Sequence, residues 1–353
     1  MKAEIEIKTP TVITSGDYIL NLDLLVKEEK KSLFRVKKED LFYYIIKNKN
    51  EGFITKYKQK LSTLNAKTLD IYSDIVVKDD FLIWPEINQC SEEFMETRQQ
   101  VLDYLGYFYK KDDKNYYLPY IPGSTVKGTI RNAILSYVLK QSQLYYSEHI
   151  EEENLALYTN EFNKRNFQLR DVFRFIQVSD FRIKDINNLK LGIGLVKRIT
   201  KSDRSGKIPV YTFYLPIGTK FEGEINVSID LKKYIKNNLK KLNKTKIIND
   251  MVLINYNNGE LHTENIIKFL FKVLNDFTND VVKSSNYGFI FQDYNVSLSN
   301  GTNGIYDAFI GRFKGKYLNL PRLPNNIKTF PIIFVNNNKK YKMGHIQITL
   351  KGV

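Results

Sequence analysis

Alternating segments at the two ends of the chain constrain the fold most. Near the start, "AEIEI" (3–7) alternates apolar and charged residues, and "GHIQITL" (344–350) does the same near the end. A period of two is typical of a strand that buries one face. Because charged, helix-favouring stretches lie between these strands, we predict an α+β protein. A ferredoxin-like or RNA-recognition-motif-like core sheet is our first choice.

The patterns between the termini predict one core with large insertions. The predicted parts are a core over 1–22 and 115–230, a mainly helical insertion over 23–114, a helical segment over 231–285, and a C-terminal part over 286–353 that completes the core. Within the insertion, helices are expected around 38–62 and 91–109, with Trp84-Pro85 as a break.

Two further strand patterns lie in the second half of the chain. The segment "DVFRFIQVSD" (171–180) is interpreted as a strand. The alternating segments 208–215 and 220–229 are separated by Pro216-Ile217-Gly218. This arrangement predicts a hairpin.

Composition excludes several classes of protein. The 353 residues are 42% hydrophobic and 26% charged, as in globular proteins. The sequence contains no run of eighteen apolar residues, so we expect no transmembrane helix. The charged, alternating start predicts a strand and not a signal peptide. A single cysteine, Cys90, excludes an internal disulfide framework and a cysteine-based zinc site. We expect a cytoplasmic protein without a membrane partner.

The positive charge is unevenly distributed. The net charge is +15, and a bias toward Lys, Asn and Ile codons could supply such an excess without functional meaning. However, residues 181–220 hold nine basic and two acidic residues, and residues 311–353 hold nine basic and none acidic. A polarised basic surface favours a polyanion, foremost a nucleic acid. An acidic protein partner and a solvated face remain alternatives.

The segment "YIPGSTVKGTIRNAI" (120–134) comes close to a nucleotide-binding loop. Gly123 and Gly128 have the required spacing, but the lysine of a Walker A motif follows the second glycine, whereas Lys127 precedes it. The "GIG" at 192–194 lacks the third glycine of a dinucleotide-binding motif. We therefore expect neither a nucleoside triphosphatase nor a dinucleotide-binding protein.

The same segment predicts an amphipathic helix with Ser124 as its N-cap. The predicted buried positions are Val126, Ile130, Ala133, Ile134, Tyr137 and Val138. Gly128 costs about 1 kcal/mol relative to alanine in a helix, which suggests that something packs closely there. Phosphate binding at the helix N-terminus and tight packing against a sheet fit this pattern equally well.

Two basic loops complete the candidate RNA-binding residues. The first, "VKRITKSDRSGK" (196–207), precedes the aromatic residues Tyr211, Phe213 and Tyr214. Its cations are Lys197, Arg198, Lys201, Arg204 and Lys207. Basic residues followed by aromatic ones suit phosphate neutralisation and base stacking, although the aromatic residues could equally be sheet core. In the second, "FIGRFKGK" (309–316), glycines flank Arg312, Lys314 and Lys316, and the alternative is a basic hairpin turn.

Signals for catalysis are weak. His149, His262 and His345 are far apart without metal-ligand spacing, and His345 is expected to be structural because it lies in a terminal strand. Asp171 and Asp180 flank a predicted strand and more often pair with neighbouring arginines than hold a metal. We expect no enzyme, no cofactor and no metal.

Five segments together resemble CRISPR-associated proteins of the RAMP superfamily. They are "TPTVITSG" (9–16), "YIPGSTVKGTIRNAIL" (120–135), "DVFRFIQVSD" (171–180), "YTFYLPIGTKFEGEINV" (211–227) and "FIGRFKGK" (309–316). The "FRxxQVSD" segment is most similar to the type III-A Csm subunit that caps the complex backbone at the crRNA 3′ end. The late loop has less glycine than is usual in the family.

The resemblance implies a non-catalytic crRNA-binding subunit involved in crRNA maturation and in defence against foreign nucleic acid. Its implied partners are crRNA, the repeated backbone RAMP subunit, other Csm subunits, and host nucleases during maturation. The RNA-binding residues are then Lys127, the cations of the two loops, and the Gly123-Ser124 turn. The alternatives are a crRNA-processing endoribonuclease that uses His149 or His345, another RAMP backbone subunit, and a subunit that docks only protein.

Overall fold

A computed structural model gives the structure of the chain. The described residues are 1–19, 23–27, 32–47, 51–52, 54–55, 59, 81–90, 94, 100–142, 172–200, 205–242, 255–257, 260–284, 290–291, 296–314, 329–335 and 339–352. The strands up to the first long helix are β1 (Lys2–Ile7), β2 (Thr14–Ile19), β3 (Leu24–Lys27), β4 (Ser32–Val36), β5 (Leu82–Cys90), β6 (Val101–Tyr104), β7 (Gly106–Lys111) and β8 (Lys114–Ile121).

Eleven more strands follow within the described residues. They are β9 (Ile176–Val178), β10 (Phe181–Ile183), β11 (Leu191–Thr200), β12 (Ser205–Tyr214), β13 (Lys220–Val227), β14 (Tyr256–Asn257), β15 (Glu260–Leu261), β16 (Ile305–Phe309), β17 (Thr329–Phe334), β18 (Lys340–Tyr341) and β19 (His345–Leu350). The helices are α1 (Lys38–Lys47), α2 (Gly123–Ser142), α3 (Asp230–Leu242) and α4 (Thr263–Lys283). The fold is thus a mixed sheet with few helices.

Strand β1 lies at the centre of one antiparallel part of the sheet. It pairs with β13 on one side, Ile5 opposite Phe221, and with β19 on the other, Ile5 opposite Ile348. Strand β10 pairs with β13, and β16 pairs with β19, so the order is β10–β13–β1–β19–β16. Helices α2 and α4 pack against each other and against this sheet, with the rings of Tyr137 and Phe269 5.8 Å apart. The predicted strands at both termini are therefore confirmed.

The second part of the sheet is built around β11. It pairs antiparallel with β12 and β17 and parallel with β5. Strand β12 continues to β6 and then β2, whereas β5 continues to β4 and β8. Strand β8 pairs with β7 and, through Phe181 opposite Ile121, with β10. Strand β8 thereby joins the two parts.

The hairpin predicted from 208–215 and 220–229 is wrong. The first segment, in β12, instead pairs antiparallel with the preceding strand β11, with Val196 opposite Val210 and Ile199 opposite Ser205. The second segment, in β13, pairs with β1, β9 and β10. The Pro216-Ile217-Gly218 segment instead returns the chain to β1, where the N–H of Gly218 donates to the carbonyl of Ile7 at 2.8 Å. A partner distant in sequence has thus displaced the local one.

The predicted mainly helical character of 23–114 is also wrong for most of its described residues, although those between 38 and 59 are helical. Helix α1 lies where a helix was expected, but strands β3 to β7 and the start of β8 occupy most of the rest, including 101–111. The Trp84-Pro85 pair lies inside β5. In β5, buried and half-buried positions alternate from Ile83 to Asn88, as in a strand, although the charged composition of the region as a whole favours helix. The predicted division into core and insertion remains a prediction.

Two further predictions concern 171–180 and 231–285. The described part of 171–180 is only partly a strand, and the described part of 231–285 is mostly helical. Residues Val172–Phe175 form a 3-10 helix before the short strand β9. Helices α3 and α4 account for most of the described part of 231–285.

A buried polar cluster links α4 to the last two core strands. Nε2 of His345 lies 2.9 Å from Oδ1 of Asp307, and Oδ2 of Asp307 accepts hydrogen bonds from N and Oγ of Ser299 at 2.6 and 2.5 Å. The N–H of Asp307 donates to Oδ1 of Asn275 on α4 at 2.9 Å. Burial alone would raise the pKa of Asp307, but the hydrogen bonds from His345 and Ser299 hold it below its usual value. The expected structural role of His345 is consistent with this pairing.

We expect Asp307→Asn to lower the free energy of unfolding by about 2 kcal/mol or more at neutral pH, because the buried His345 and two donors of the half-buried Ser299 lose a charged acceptor. Since the folded-state pKa is lowered, this stabilisation exists above the ordinary aspartate pKa of about 4 and is lost as the pH falls through the folded value. Urea unfolding of both proteins across pH measures it. Glu264→Gln, at an exposed carboxylate on α4, is the control. A difference that does not shrink in acid would contradict the assignment.

Candidate nucleic-acid interface

Three segments that are far apart in sequence line one open cleft of about 440 Å³. The first is residues 13–16 at the start of β2, the second is the start of α2, and the third is the loop after β16. Leu105, between β6 and β7, completes the lining. The lining residues are Ile13, Thr14, Ser15, Gly16, Leu105, Pro122, Thr125, Gly311, Arg312 and Lys314. The structure therefore brings together parts of the "TPTVITSG", "YIPGSTVKG" and "FIGRFKGK" segments.

Backbone hydrogen bonds hold the first and third segments together. The N–H of Arg312 donates to the carbonyl of Val12 at 3.1 Å, and the N–H of Leu105 donates to the carbonyl of Ile13 at 2.9 Å. Gly311 has φ +90°, and a Cβ there would lie 2.4 Å from the carbonyl oxygen of Val12. Only glycine allows this approach, so the position of Arg312 depends on Gly311.

The two described cations of the late loop differ in exposure. Arg312 is exposed, whereas Lys314 is only 7% exposed. Nζ of Lys314 donates to the carbonyl of Phe309 at 3.2 Å and to Oγ1 of Thr129 at 3.4 Å, both neutral oxygens. Burial lowers the pKa of Lys314 to about 8. Lys314 is therefore a lining residue of the cleft that carries a positive charge at neutral pH. Neither of these two hydrogen bonds is to a carboxylate.

A second buried lysine holds this loop in place. Lys342 is fully buried, and its Nζ donates to the carbonyl of Lys314 at 2.7 Å. Burial lowers the pKa of Lys342 to about 7. Its role in the structure is to satisfy backbone carbonyls of the loop rather than to face the cleft.

The start of α2 differs from its predicted form. The helix begins at Gly123, so Ser124 is an exposed residue of the first turn and its assignment as N-cap is wrong. The N–H of Gly123 instead donates to Oδ1 of Asp180 at 2.9 Å. This carboxylate already satisfies one N–H of the helix N-terminus that was considered for phosphate. Asp180, the last residue of the "QVSD" segment, thus caps the helix that begins in the "IPGS" segment.

The two glycines of α2 have opposite environments. A Cβ on Gly123 would lie 2.1 Å from the carbonyl oxygen of Val178, so Gly123 is required for packing. A Cβ on Gly128 would have no described atom within 4 Å. The close packing expected at Gly128 is therefore not found within the described protein. Of the predicted apolar stripe, Val126, Ile130, Ala133 and Ile134 are buried, and Tyr137 and Val138 are partly buried.

The first basic loop does not contribute to the cleft through its described cations. Lys197 and Arg198 lie on β11, opposite Ile332 and Pro331 of β17, and neither lines the cleft. Nζ of Lys197 lies 5.2 Å from the ring centroid of Phe334. Lys201, Arg204, Lys316 and the side chain of Lys207 lie outside the described part of the structure, as do His149 and Asp171. RNA contact at all these positions remains a prediction.

The aromatic residues proposed for base stacking belong to the core. Tyr211, Phe213 and Tyr214 are 3%, 1% and 3% exposed, and the rings of Phe94 and Tyr104 pack against Tyr211 and Phe213 at 5.2 and 5.3 Å. The sequence reasoning missed other aromatic residues, those of the β7–β8 hairpin, where Phe108 is 72% exposed. The available signal was the two runs of aromatic residues on either side of the charged residues 110–114 in "GYFYKKDDKNYYLPY" (106–120).

The described residues contain no group of three or more His, Cys, Asp or Glu side chains that could hold a metal ion. His262 is exposed before α4, and His345 is buried with Asp307. No helix in the described part of the chain is both long and apolar enough to cross a lipid bilayer.

The sequence model of the RAMP superfamily matches residues 4–353. The chain belongs to the RAMP superfamily. No curated protein sequence matches this RAMP protein significantly. It is similar to a chain in a cryo-EM structure of a Csm–crRNA–target RNA ternary complex of a type III-A CRISPR-Cas system. The TM-score is 0.65 at 15% identity, and the match covers 99% of this chain and 100% of that chain.

A second solved structure similar to this RAMP protein is T. onnurineus Csm5, a crystal structure. The TM-score is 0.57 at 14% identity, and the match covers 98% of this chain and 100% of that chain. At these identities, the two structures establish the fold.

The two glycines of α2 provide a matched pair of substitutions. We expect Gly123→Ala to destabilise the protein by roughly 1–3 kcal/mol, because backbone carbonyls must move to admit the methyl group. We expect Gly128→Ala to be neutral or to stabilise it by up to about 1 kcal/mol, because the methyl group meets open space. Urea unfolding measures both. Equal effects of the two substitutions would contradict these assignments.

Proposed function

We propose that this RAMP protein is a non-catalytic crRNA-binding subunit of a type III-A Csm effector ribonucleoprotein. In this role it caps the complex backbone at the crRNA 3′ end and takes part in crRNA maturation, in defence against foreign nucleic acid. Its membership of the superfamily and its full-length similarity to a chain of a Csm–crRNA–target RNA complex support the proposal. Its similarity to T. onnurineus Csm5 over 98% of this chain favours the capping subunit.

The topology supports a ferredoxin-like core as the scaffold for RNA binding. Strands β1, β10, β13 and β19, with α2 and α4, follow the chain order strand, helix, strand, strand, helix, strand. Their antiparallel order, β19–β1–β13–β10, places the first strand between the third and the last. We propose that this unit is the family's core and that the remaining strands are additions to it.

The observation that carries the RNA-binding proposal is the convergence of three segments on one cationic cleft. Arg312 is exposed at the cleft, and the ammonium group of Lys314 bonds neutral oxygens. A phosphate in the cleft would supply the counter-charge that these contacts lack. Lys127 and Ser124, on the first turns of α2, are further candidates for phosphate contact. The proposed partners are crRNA, the repeated backbone RAMP subunit, other Csm subunits and host nucleases of maturation, in the cytoplasm.

We expect the affinity for single-stranded RNA to fall steeply with salt, because bound phosphates release counterions. Arg312→Ala should weaken binding to all RNA sequences about equally and reduce the slope of log K against log salt by about 0.7 to 1. Lys236→Ala, at an exposed lysine on α3, is the control. Fluorescence anisotropy over a salt series provides the measurement. A flat salt response of the wild type would favour a subunit that docks only protein.

We also expect RNA affinity to fall as the pH is raised through about 8, where the buried ammonium group of Lys314 loses its proton. RNA binding stabilises the charged form, so the step should lie at a higher pH in the complex than in the free protein. Lys314→Met should bind more weakly at neutral pH and should lack this step. A step of equal size in the variant would assign the titration to other groups. Circular dichroism checks that the variant is folded.

The absence of catalysis is itself testable. Purified protein incubated with guide RNA, with and without Mg²⁺, should leave the RNA uncut on a denaturing gel. Cleavage that depends on the metal, or that His149→Ala abolishes, would replace this proposal with a crRNA-processing endoribonuclease.

A further inference from the structure

An exposed aromatic ring lies on a hairpin that begins at the cleft. Phe108, on β7, is 72% exposed, although phenylalanine usually lies inside a protein. Leu105 lines the cleft, and its carbonyl accepts a hydrogen bond from the N–H of Tyr120 at the other end of the hairpin, at 3.3 Å. The hairpin thus extends from the cleft, with Phe108 three residues beyond its wall.

Phe108 packs against a ring that is held in place from several sides. Phe108 and Tyr117 are directly opposite in the β7–β8 pair, and their ring centroids are 4.9 Å apart. The ring of Tyr117 lies across Gly106, where a Cβ would come within 2.8 Å of it. The guanidinium group of Arg35 lies 4.5 Å from the Tyr117 centroid and is fixed by Asp103 at 2.5 Å. Tyr117 therefore offers Phe108 a rigid support.

The size and surroundings of this patch suit a nucleic-acid base better than a protein. Alternation along β7 places Tyr109, the next exposed ring, on the opposite face from Phe108. A single ring buries about 150–250 Å², far below the roughly 800 Å² that each partner buries in a stable protein interface. Lys110, exposed on the same face as Phe108, lies 3.8 Å from the carboxylate of Asp113 in a solvent-exposed ion pair, and with Lys111 and Lys114 it leaves the end of the hairpin with a net positive charge. An unpaired base with its phosphate matches both the flat apolar surface and the charge.

We propose that Phe108, supported by Tyr117, stacks against one unpaired base of the RNA held in the cleft. This proposal rests on the proposed function, because the cleft must hold the phosphates that bring the base to the ring. Stacking on a ring face is tolerant of sequence. The contact therefore adds affinity and fixes the position of the RNA without selecting its sequence.

The test uses the full-length protein and short single-stranded RNAs in which 2-aminopurine replaces one base, moved one position at a time. We expect one position to show strong fluorescence quenching in the wild type and in Phe108→Trp, and not in Phe108→Ala. We expect Phe108→Ala to weaken binding about 5- to 100-fold. Tyr43→Ala is the matched control, because Tyr43 on α1 is 71% exposed and does not line the cleft. It should leave affinity and quenching unchanged.

A second measurement separates stacking from an indirect effect. RNA with an abasic site at the quenched position should bind the wild type more weakly, and Phe108→Ala should then cause no further loss. Full additivity of the two changes, or unchanged affinity and quenching in Phe108→Ala, would overturn the stacking proposal while RNA binding itself persists. In that event the exposed ring is left for a protein contact. If the wild type does not bind RNA and Arg312→Ala has no effect, the proposed function fails, and the stacking proposal fails with it.

Discussion

The pairing of β1 on both sides is the constraint on which the candidate site depends. Because β1 and β16 both run antiparallel to β19, they are parallel to each other and end at the same edge of the sheet. Ile7 lies opposite Ile346, and Phe309 lies opposite His345. The segments that follow the two strands must therefore meet, although some 300 positions separate them in the sequence. The cleft is a consequence of strand order before any side chain is considered.

Burial of positive charge at this edge connects stability with binding. The ammonium groups of Lys314 and Lys342 hold the late loop through backbone carbonyls, and burial lowers the pKa of both. A buried ammonium group is costly unless an opposite charge compensates it. A polyanion in the cleft would offset this cost for Lys314. We infer that free energy spent on ordering the loop in the free protein is recovered in part when RNA binds.

Local patterns predicted the elements better than their partners. The alternation of "AEIEI" and "GHIQITL" and the apolar stripe of α2 identified elements whose burial is periodic. The pairing of 208–215 with 220–229 was wrong, because register across a sheet is decided by all strands together and a nearby turn is only one competitor. The helical prediction for 91–109 was wrong over 101–109, where the chain forms β6 and β7, since the charged residues at 92–98 gave the whole window the composition of a helix.

The site shows the same limit at the level of single residues. Gly123 and Gly128 look alike in the sequence, yet only Gly123 meets a neighbouring backbone, and that backbone belongs to a segment more than fifty positions away. Both β7 and β12 carry aromatic residues, yet Tyr211 and Phe213 of β12 pack against the rings of Phe94 and Tyr104 at 5.2 and 5.3 Å and are buried, whereas Phe108 of β7 is 72% exposed. Exposure of an aromatic ring is therefore decided by the side chains that pack on its face of the sheet, and these come from segments distant in sequence. For that reason Phe108, rather than Tyr211 or Phe213, is the ring that remains available to a base.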